Sequence, residues 1–155
     1  FNNFLNPEER KKYIEIRQKP LIEGKSITDL ASDIIKSLVS PNCSEYVKQK
    51  IYDSLSQIRS ESYLKTIKEA TNYDVTNKLT SFKVPVQLIY GEHDRLTPPS
   101  LGLEIKNKID GAELKIIKNA GHLPNMEQPE VFNEIVEGFV TKHNSLAKYY
   151  EKNDE

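Results

Sequence analysis

The stretch VPVQLIYGEHD, residues 84–94, decides the fold of this chain. Residues 84–90 are almost continuously apolar, as in a strand that is covered on both faces, and Gly91 then opens a polar turn. A second run, ELKII at residues 113–117, leads into NAGH at residues 119–122. Because charged and apolar residues alternate in this second run, we predict that it is a strand at the edge of a sheet.

A helix is predicted between these two strands. Its apolar positions lie within residues 101–109, Thr97-Pro98-Pro99 starts it, and Asp110-Gly111 ends it. A strand–helix–strand unit of this kind forms two parallel neighbours joined by a right-handed crossover. The carboxyl ends of such neighbours lie roughly 5 Å apart, so Asp94 and His122 are expected to share one crevice.

Asp94 and His122 are the candidate catalytic residues. A carboxylate beside an imidazole orients the ring and stabilises its protonated form, as a hydrolytic general base requires. Each residue also has a structural interpretation, because Asp94 could cap a turn and His122 could be an ordinary loop histidine. Their position at matching strand ends favours catalysis. We expect His93 to point away from the crevice and His143 to be solvated.

The first half of the chain has a helical pattern. Helices are predicted over residues 6–17, 26–38, 44–58 and 61–70, with a short turn capped by Asp74 that reaches Leu79. A last helix starts near Pro129 and carries the apolar stripe Phe132, Ile135, Val136, Phe139 and Val140. Four tyrosines of the helical half are candidates for lining a pocket, although core packing is their commoner use: Tyr46, Tyr52, Tyr63 and Tyr73.

Composition and charge exclude several classes of function. The 155-residue chain has a net charge of −1, which leaves no electrostatic footprint for nucleic acid or an anionic membrane. No apolar run approaches the roughly 20 residues of a membrane span, so a soluble protein is expected, by default cytoplasmic. The histidines lack ligand spacing, and we therefore predict neither a metal nor a cofactor. Cys43, the single cysteine, is expected to be a buried or inert thiol rather than a catalytic one.

The sequence shows two strands, which is too few for a stable parallel sheet. One edge of the strand at residues 84–90 lacks a partner, and such an edge is a template for association. The first residue is Phe1 rather than Met. We therefore expect the chain to be the end of a larger sheet, completed by a missing amino-terminal half or by self-association through the exposed edge.

Two stretches of the sequence resemble the α/β-hydrolase superfamily. One is VPVQLIYGEHDRLTP at residues 84–98, and the other combines GAEL, AGHLP and EQPE within residues 111–130. The resemblance, which extends over nearly the whole chain, implies an α/β fold: the C-terminal portion of an α/β-hydrolase, with two parallel strands and flanking helices. It is nearest to the lactonase, esterase and C–C hydrolase branch. It also implies a helical cap at residues 1–77, a core segment at 78–145 and a polar tail at 146–155.

By this resemblance, Asp94 is the triad acid and His122 the general base for a small-molecule ester, thioester or lactone. Leu96 and Leu123 are weaker candidates for contacting that substrate. The family places its nucleophile upstream on a Gly-x-Ser-x-Gly elbow, and this sequence contains no such elbow. The chain alone is therefore expected to be inactive. Four serines lie at predicted helix starts, where capping is their expected role: Ser26, Ser40, Ser44 and Ser100.

Two alternatives remain open at this point. An upstream aspartate nucleophile would make the whole protein an epoxide hydrolase or a dehalogenase. A truncated, non-catalytic relative would instead use the exposed strand edge and the cap to bind another chain. The sequence immediately before Phe1 discriminates between these alternatives, because a glycine-rich elbow there would favour hydrolysis.

Overall fold

The computed structural model describes residues 7–72 and 76–144. All the described elements before the first strand are helices. The helices are α1 (Pro7–Ile22), α2 (Ile27–Leu38), α3 (Glu45–Ser56), α4 (Ser60–Asn72), α5 (Pro99–Lys106), α6 (Pro124–Glu127) and α7 (Pro129–His143). A 3-10 helix at Thr76–Ser81 precedes strand β1 (Gln87–Gly91), and strand β2 (Glu113–Ile117) follows α5. The predicted fold class is confirmed: an α/β arrangement with two parallel strands and flanking helices.

The two strands form a parallel pair with α5 as their crossover. Their register places Gln87 beside Glu113 and Gly91 beside Ile117, so both strands end at the same rim of the sheet. Helix α5 packs on both strands. It approaches them closely at Gly102, where an added Cβ would lie 2.5 Å from the ring of Tyr90.

Helix α7 packs against β2. Its Lys142 forms an ion pair with Glu113 at the start of that strand. The predicted apolar stripe of α7 is present, but none of its residues is fully buried, and Val140 remains 55% exposed. This helix therefore covers the sheet only in part.

Strand β1 is shorter and more exposed than its sequence predicts. Regular pairing begins at Gln87, and Val84 is 63% exposed. The prediction that this strand is covered on both faces is wrong for the described residues, because Gln87 to Tyr90 are all half-buried. The cause is the partnerless second edge of β1, which has β2 alone as its neighbour in the described part of the chain.

The first helices share an apolar core. Helix α2 begins with a capping box, in which the Ser26 hydroxyl accepts from the Asp29 amide and the Asp29 carboxylate accepts from the Ser26 amide at 2.8 Å. Buried side chains from the end of α1, from α2, from the segment between α2 and α3, and from α3 then pack together. They are Leu21, Ile27, Ala31, Ile35, Val39, Cys43, Val47, Ile51 and Leu55. Cys43 is thus buried, as predicted.

Several helix ends differ from the predicted ones. Helix α1 continues to Ile22, because Pro20 lies in its last turns without ending it. Helix α5 ends at Lys106 rather than at residue 109, since the next residues form tighter 3-10 hydrogen bonds, such as that from the Ile109 amide to the Lys106 carbonyl. The predicted cap Asp74, Tyr73 and the tail at residues 146–155 lie outside the described residues.

Two of the four serines that were predicted to cap helices are not N-caps in the structure. Ser26 and Ser44 are N-caps, as predicted. Ser40 instead follows the C-terminal end of α2 and is buried, and its hydroxyl has no hydrogen-bond partner among residues 7–72 and 76–144. Ser100 lies inside α5, whose N-cap is Pro98. The capping predictions for Ser40 and Ser100 are therefore wrong, because the chain turns after α2 and because a proline occupies the start of α5.

No helix within residues 7–72 and 76–144 has the combination of length and apolar character that a bilayer crossing requires.

Candidate active site

Asp94 lies in the turn after β1, and its carboxylate is almost fully buried. One oxygen, Oδ1, accepts hydrogen bonds from the backbone N–H groups of Leu96 and Thr97, each at 2.9 Å. The Asp94 amide donates to the carbonyl of Gly91 at 3.1 Å. The aspartate thus caps its own turn, and this contact fixes the direction of its side chain.

The other carboxylate oxygen, Oδ2, faces His122. It lies 2.9 Å from Nδ1 of the imidazole. The Asp94 side chain is 4% exposed, whereas that of His122 is 32% exposed. An ionised carboxylate only accepts hydrogen bonds, so the proton of this contact belongs to Nδ1, and Nε2 carries the lone pair of the neutral ring. The predicted meeting of the two side chains at one rim of a parallel pair is confirmed.

Thr97 joins this pair and was missed by the sequence analysis. Its hydroxyl donates to Asp94 Oδ2 at 2.8 Å and lies 3.1 Å from His122 Nδ1. The threonine therefore contacts both members of the candidate pair. The signal that could have identified it is its place three residues after a turn aspartate, where Ser and Thr side chains often bond back to the turn.

The loop that carries His122 is held from the side of β1. The His93 amide donates to the Ala120 carbonyl at 2.8 Å. The end of β1 approaches the loop so closely that a Cβ on Gly91 would lie 2.0 Å from the Gly121 carbonyl oxygen. Only glycine fits at the end of β1, because those neighbouring atoms are backbone.

The same loop is held from the side of α2. The His122 amide donates to the Leu38 carbonyl at 2.6 Å. The carboxylate of Glu127 accepts from the Gly121 amide at 2.7 Å and from the Ser40 amide at 2.8 Å. Glu127 begins the EQPE stretch that carries the family resemblance, but no role was predicted for it, since the bond to Ser40 joins residues that are 87 positions apart.

The remaining predicted residues lie around this centre. Leu96 and Leu123 are half-buried, and Leu123 packs against the helical core; their role in substrate binding stays a prediction. The His93 ring lies near the carboxylate of Glu92, 3.7 Å away. His143 is exposed, as predicted, and its ring contacts that of Phe139.

The described tyrosines of the helical half divide into two groups. Tyr46 and Tyr52 are exposed. Tyr63 packs against the helical core, and its hydroxyl accepts a hydrogen bond from Arg17. Tyr63 thus has the commoner packing role that its residue type predicts.

Burial raises the pKa of two side chains near the site, Tyr90 and Cys43. Burial, and secondarily the Asp94 charge, raises the pKa of Tyr90. Burial, with the nearby Glu127 carboxylate as the next cause, raises the pKa of the Cys43 thiol to about 11. A thiol with so high a pKa is a poor nucleophile at neutral pH.

Two surface clefts in the described part of the chain lie away from Asp94 and His122. One runs along the last turn of α5 to Ala112, and the other lies between the first residues of the strands and Phe139 of α7. Both are therefore near the amino ends of β1 or β2. Within the described ranges no three His, Cys, Asp or Glu side chains come together as metal ligands would.

Known proteins resemble this chain in sequence and in fold. No protein-family model matches it. It is 34% identical to 3-oxoadipate enol-lactonase 1 of Acinetobacter baylyi over 92 residues. The aligned region covers 59% of this chain and 34% of the enol-lactonase. It is also 39% identical to carboxylesterase YbfK of Bacillus subtilis over 64 residues, and this aligned region covers 41% of the chain and 22% of the carboxylesterase.

A solved structure gives the fold comparison. The esterase from Thermogutta terrifontis superimposes with a TM-score of 0.77 at 23% identity, over 90% of this chain and 52% of the esterase chain. The chain thus spans about half the length of that esterase and about a third of the enol-lactonase. Sequence likeness to a lactonase and a carboxylesterase, joined to fold likeness to an esterase over nine-tenths of its length, supports the α/β-hydrolase superfamily for this chain.

Proposed function

We propose that Asp94 and His122 are the acid and the general base of a hydrolase that cleaves an ester, a thioester or a lactone. The observation that carries this proposal is the 2.9 Å contact between Asp94 Oδ2 and His122 Nδ1. The buried carboxylate and the partly exposed imidazole suit these two roles. The names of the relatives, an enol-lactonase and a carboxylesterase, support the substrate class.

In this mechanism His122 moves the proton. Its Nε2 takes a proton from the nucleophile as the latter attacks the substrate carbonyl, and it returns that proton to the leaving group. Asp94 holds the imidazole in the Nδ1–H tautomer and stabilises the imidazolium that forms. Thr97 keeps the Asp94 oxygen in place by donating a hydrogen bond to it.

The nucleophile and the oxyanion donors would come from residues outside this sequence. The 155 residues contain no Gly-x-Ser-x-Gly elbow, and in this superfamily the elbow precedes the acid and the histidine. The chain also matches only part of each relative. We infer that these residues alone do not hydrolyse esters, because the covalent step requires the nucleophile.

We further propose that residues 1–77 form a helical cap and residues 78–145 a segment of the hydrolase core. Leu123 and Met126, which follow His122, pack against the apolar core of the helices. A cap in this position would lie beside the general base, where it can shape the substrate site.

Asp94→Asn tests this proposal in the protein expressed from its complete reading frame. The Asn amide would face the Nδ1–H and force the wrong tautomer, so we expect kcat for p-nitrophenyl butyrate to fall on the order of 10⁴-fold. His143→Gln, far from the rim, is the matched control and should hydrolyse the ester at the wild-type rate. Hydrolysis by Asp94→Asn at the same rate as that control would refute the role of Asp94.

A further inference from the structure

We propose that Glu127 is a positioning residue for His122, because its carboxylate bridges the loop of His122 and the end of helix α2. This inference rests on the proposed function of His122. It adds a residue that does not touch the reacting atoms and acts through the backbone of the loop.

The bridge joins two segments that no strand pairing connects. Glu127 Oε1 accepts from the Gly121 amide at 2.7 Å, directly before His122, and Oε2 accepts from the Ser40 amide at 2.8 Å. Both bonds are partly buried. A carboxylate that accepts from two backbone N–H groups in such a place makes charge-assisted bonds, which are stronger than neutral ones.

The carboxylate itself has little freedom. Glu127 is the last residue of α6, which starts at the buried Pro124 directly after Leu123. The Glu127 amide donates to the Leu123 carbonyl at 3.0 Å. The bridge is thus anchored within five residues of the imidazole that it positions.

The contact surface under the bridge is tight. A Cβ on Gly121 would lie 2.5 Å from the Leu38 carbonyl oxygen and 2.8 Å from the Ser40 amide nitrogen. The backbone at Gly121 therefore packs directly on the backbone of residues 38–40, next to the two hydrogen bonds of Glu127. The His122 amide bond to Leu38 lies on the same side. Loss of the bridge would let the loop move away from α2, and with it the ring that must stay 2.9 Å from Asp94.

The chemistry of the bridge makes glutamine the informative replacement. Glutamine has the same shape, but it offers one acceptor oxygen and one NH₂ donor. One of the two backbone N–H groups would then face another donor. Glu127→Gln should therefore break one bond of the bridge without leaving a cavity.

The experiment compares Glu127→Gln with Glu130→Gln in the protein expressed from its complete reading frame. Glu130 is an exposed carboxylate three residues further on, so its variant makes the same change in charge. For Glu127→Gln we expect kcat for p-nitrophenyl butyrate to fall by about ten- to a hundredfold, with KM nearly unchanged, because misplacement of a catalytic group costs rate rather than binding. Glu130→Gln should match the wild type.

Proton–nitrogen NMR spectra of the same variants provide a readout that needs no activity. In Glu127→Gln we expect the amide signals of Gly121 and Ser40 and the Nδ1–H signal of His122 to shift. In Glu130→Gln these three signals should keep their wild-type positions. If the wild type hydrolyses no ester, the proposed function fails, and these spectra still decide whether Glu127 holds the His122 ring.

Two results would overturn the inference. Unshifted amides in Glu127→Gln would show that the bridge is absent. Shifted amides with an unchanged kcat and an unchanged Nδ1–H signal would show that the bridge does not position His122. Should Glu127→Gln fail to fold, Glu127→Asp keeps the charge on a shorter side chain. We expect it to retain one of the two bonds and an intermediate kcat, and wild-type kcat with both amide signals in place would contradict the inference.

Discussion

At the scale of single residues, Asp94 divides its two oxygens between structure and chemistry. Oδ1 accepts from two backbone amides of its own turn, and Oδ2 meets His122. The turn-capping interpretation and the catalytic one are therefore compatible. The first contact aims the carboxylate, and the proposed base depends on that aim.

Thr97→Val tests how much the hydroxyl on Asp94 contributes. The variant keeps the shape of the side chain and removes the donor of the 2.8 Å bond to Oδ2. We expect kcat for a p-nitrophenyl ester to fall by about two- to tenfold, since such a bond contributes about 0.5–1.5 kcal/mol. Thr97→Ser, which keeps the hydroxyl, should restore most of the loss. Equal rates for the Val and Ser variants would remove Thr97 from the site.

The thiol of Cys43 gives a residue-scale prediction about pH. Burial, followed by the Glu127 charge, raises its pKa to about 11, so the thiolate is scarce in the folded protein at pH 8. We expect iodoacetamide to leave Cys43 unmodified under native conditions and to alkylate it in denaturant, as mass spectrometry would record. Rapid alkylation of the folded protein at pH 8 would show that the thiol is neither buried nor shifted.

At the scale of elements, the loop of His122 depends on a close approach between backbones. Gly121→Ala would place a Cβ 2.5 Å from the Leu38 carbonyl oxygen, and we expect it to lower the free energy of unfolding by about 1–3 kcal/mol. Gly138 in α7 has open space around its Cα, so Gly138→Ala should raise that free energy by about 0.5–1 kcal/mol. Urea unfolding measures both free energies. Similar free energies of unfolding for the two variants would show that the backbone of Gly121 does not lie so close to that of Leu38.

The elements also show which parts of this fold can be predicted from sequence. The bounds of β2 and the meeting of Asp94 with His122 follow from apolar periodicity and from the geometry of parallel strands, both of which are local rules. The exposure of β1 does not follow, because it depends on which strands lie beside it. Glu127 does not follow either, since its bridge joins residues 87 positions apart and leaves no periodic signal.

At the scale of the whole molecule, the helical half and the strand half meet at the loop of His122. Leu123 and Met126 pack on the core of the helices, while β1 contacts the other side of the loop through Gly91. The proposed base thus lies at the junction of the two halves. A displacement of α2 would reach His122 through Leu38, whose carbonyl accepts from the His122 amide.

The open edge of β1 gives a prediction about association. The strand has β2 as its neighbour among the described residues, and Val84 just before it is largely exposed. Expressed alone, the 155-residue chain should self-associate at micromolar concentration, because unpaired N–H and C=O groups of an apolar edge template pairing. Sedimentation velocity measures this. A well-folded, monodisperse monomer would show that the edge is protected in some other way.

The most direct test of the account is the rate of His122→Ala. In the protein expressed from its complete reading frame, we expect kcat for p-nitrophenyl butyrate to fall by at least about 10³-fold, because loss of the base disables the nucleophile. The variant should still unfold in urea at close to the wild-type midpoint, since the half-exposed ring is not part of the apolar core. A folded variant that hydrolyses the ester at the wild-type rate would contradict the central claim that His122 is the general base.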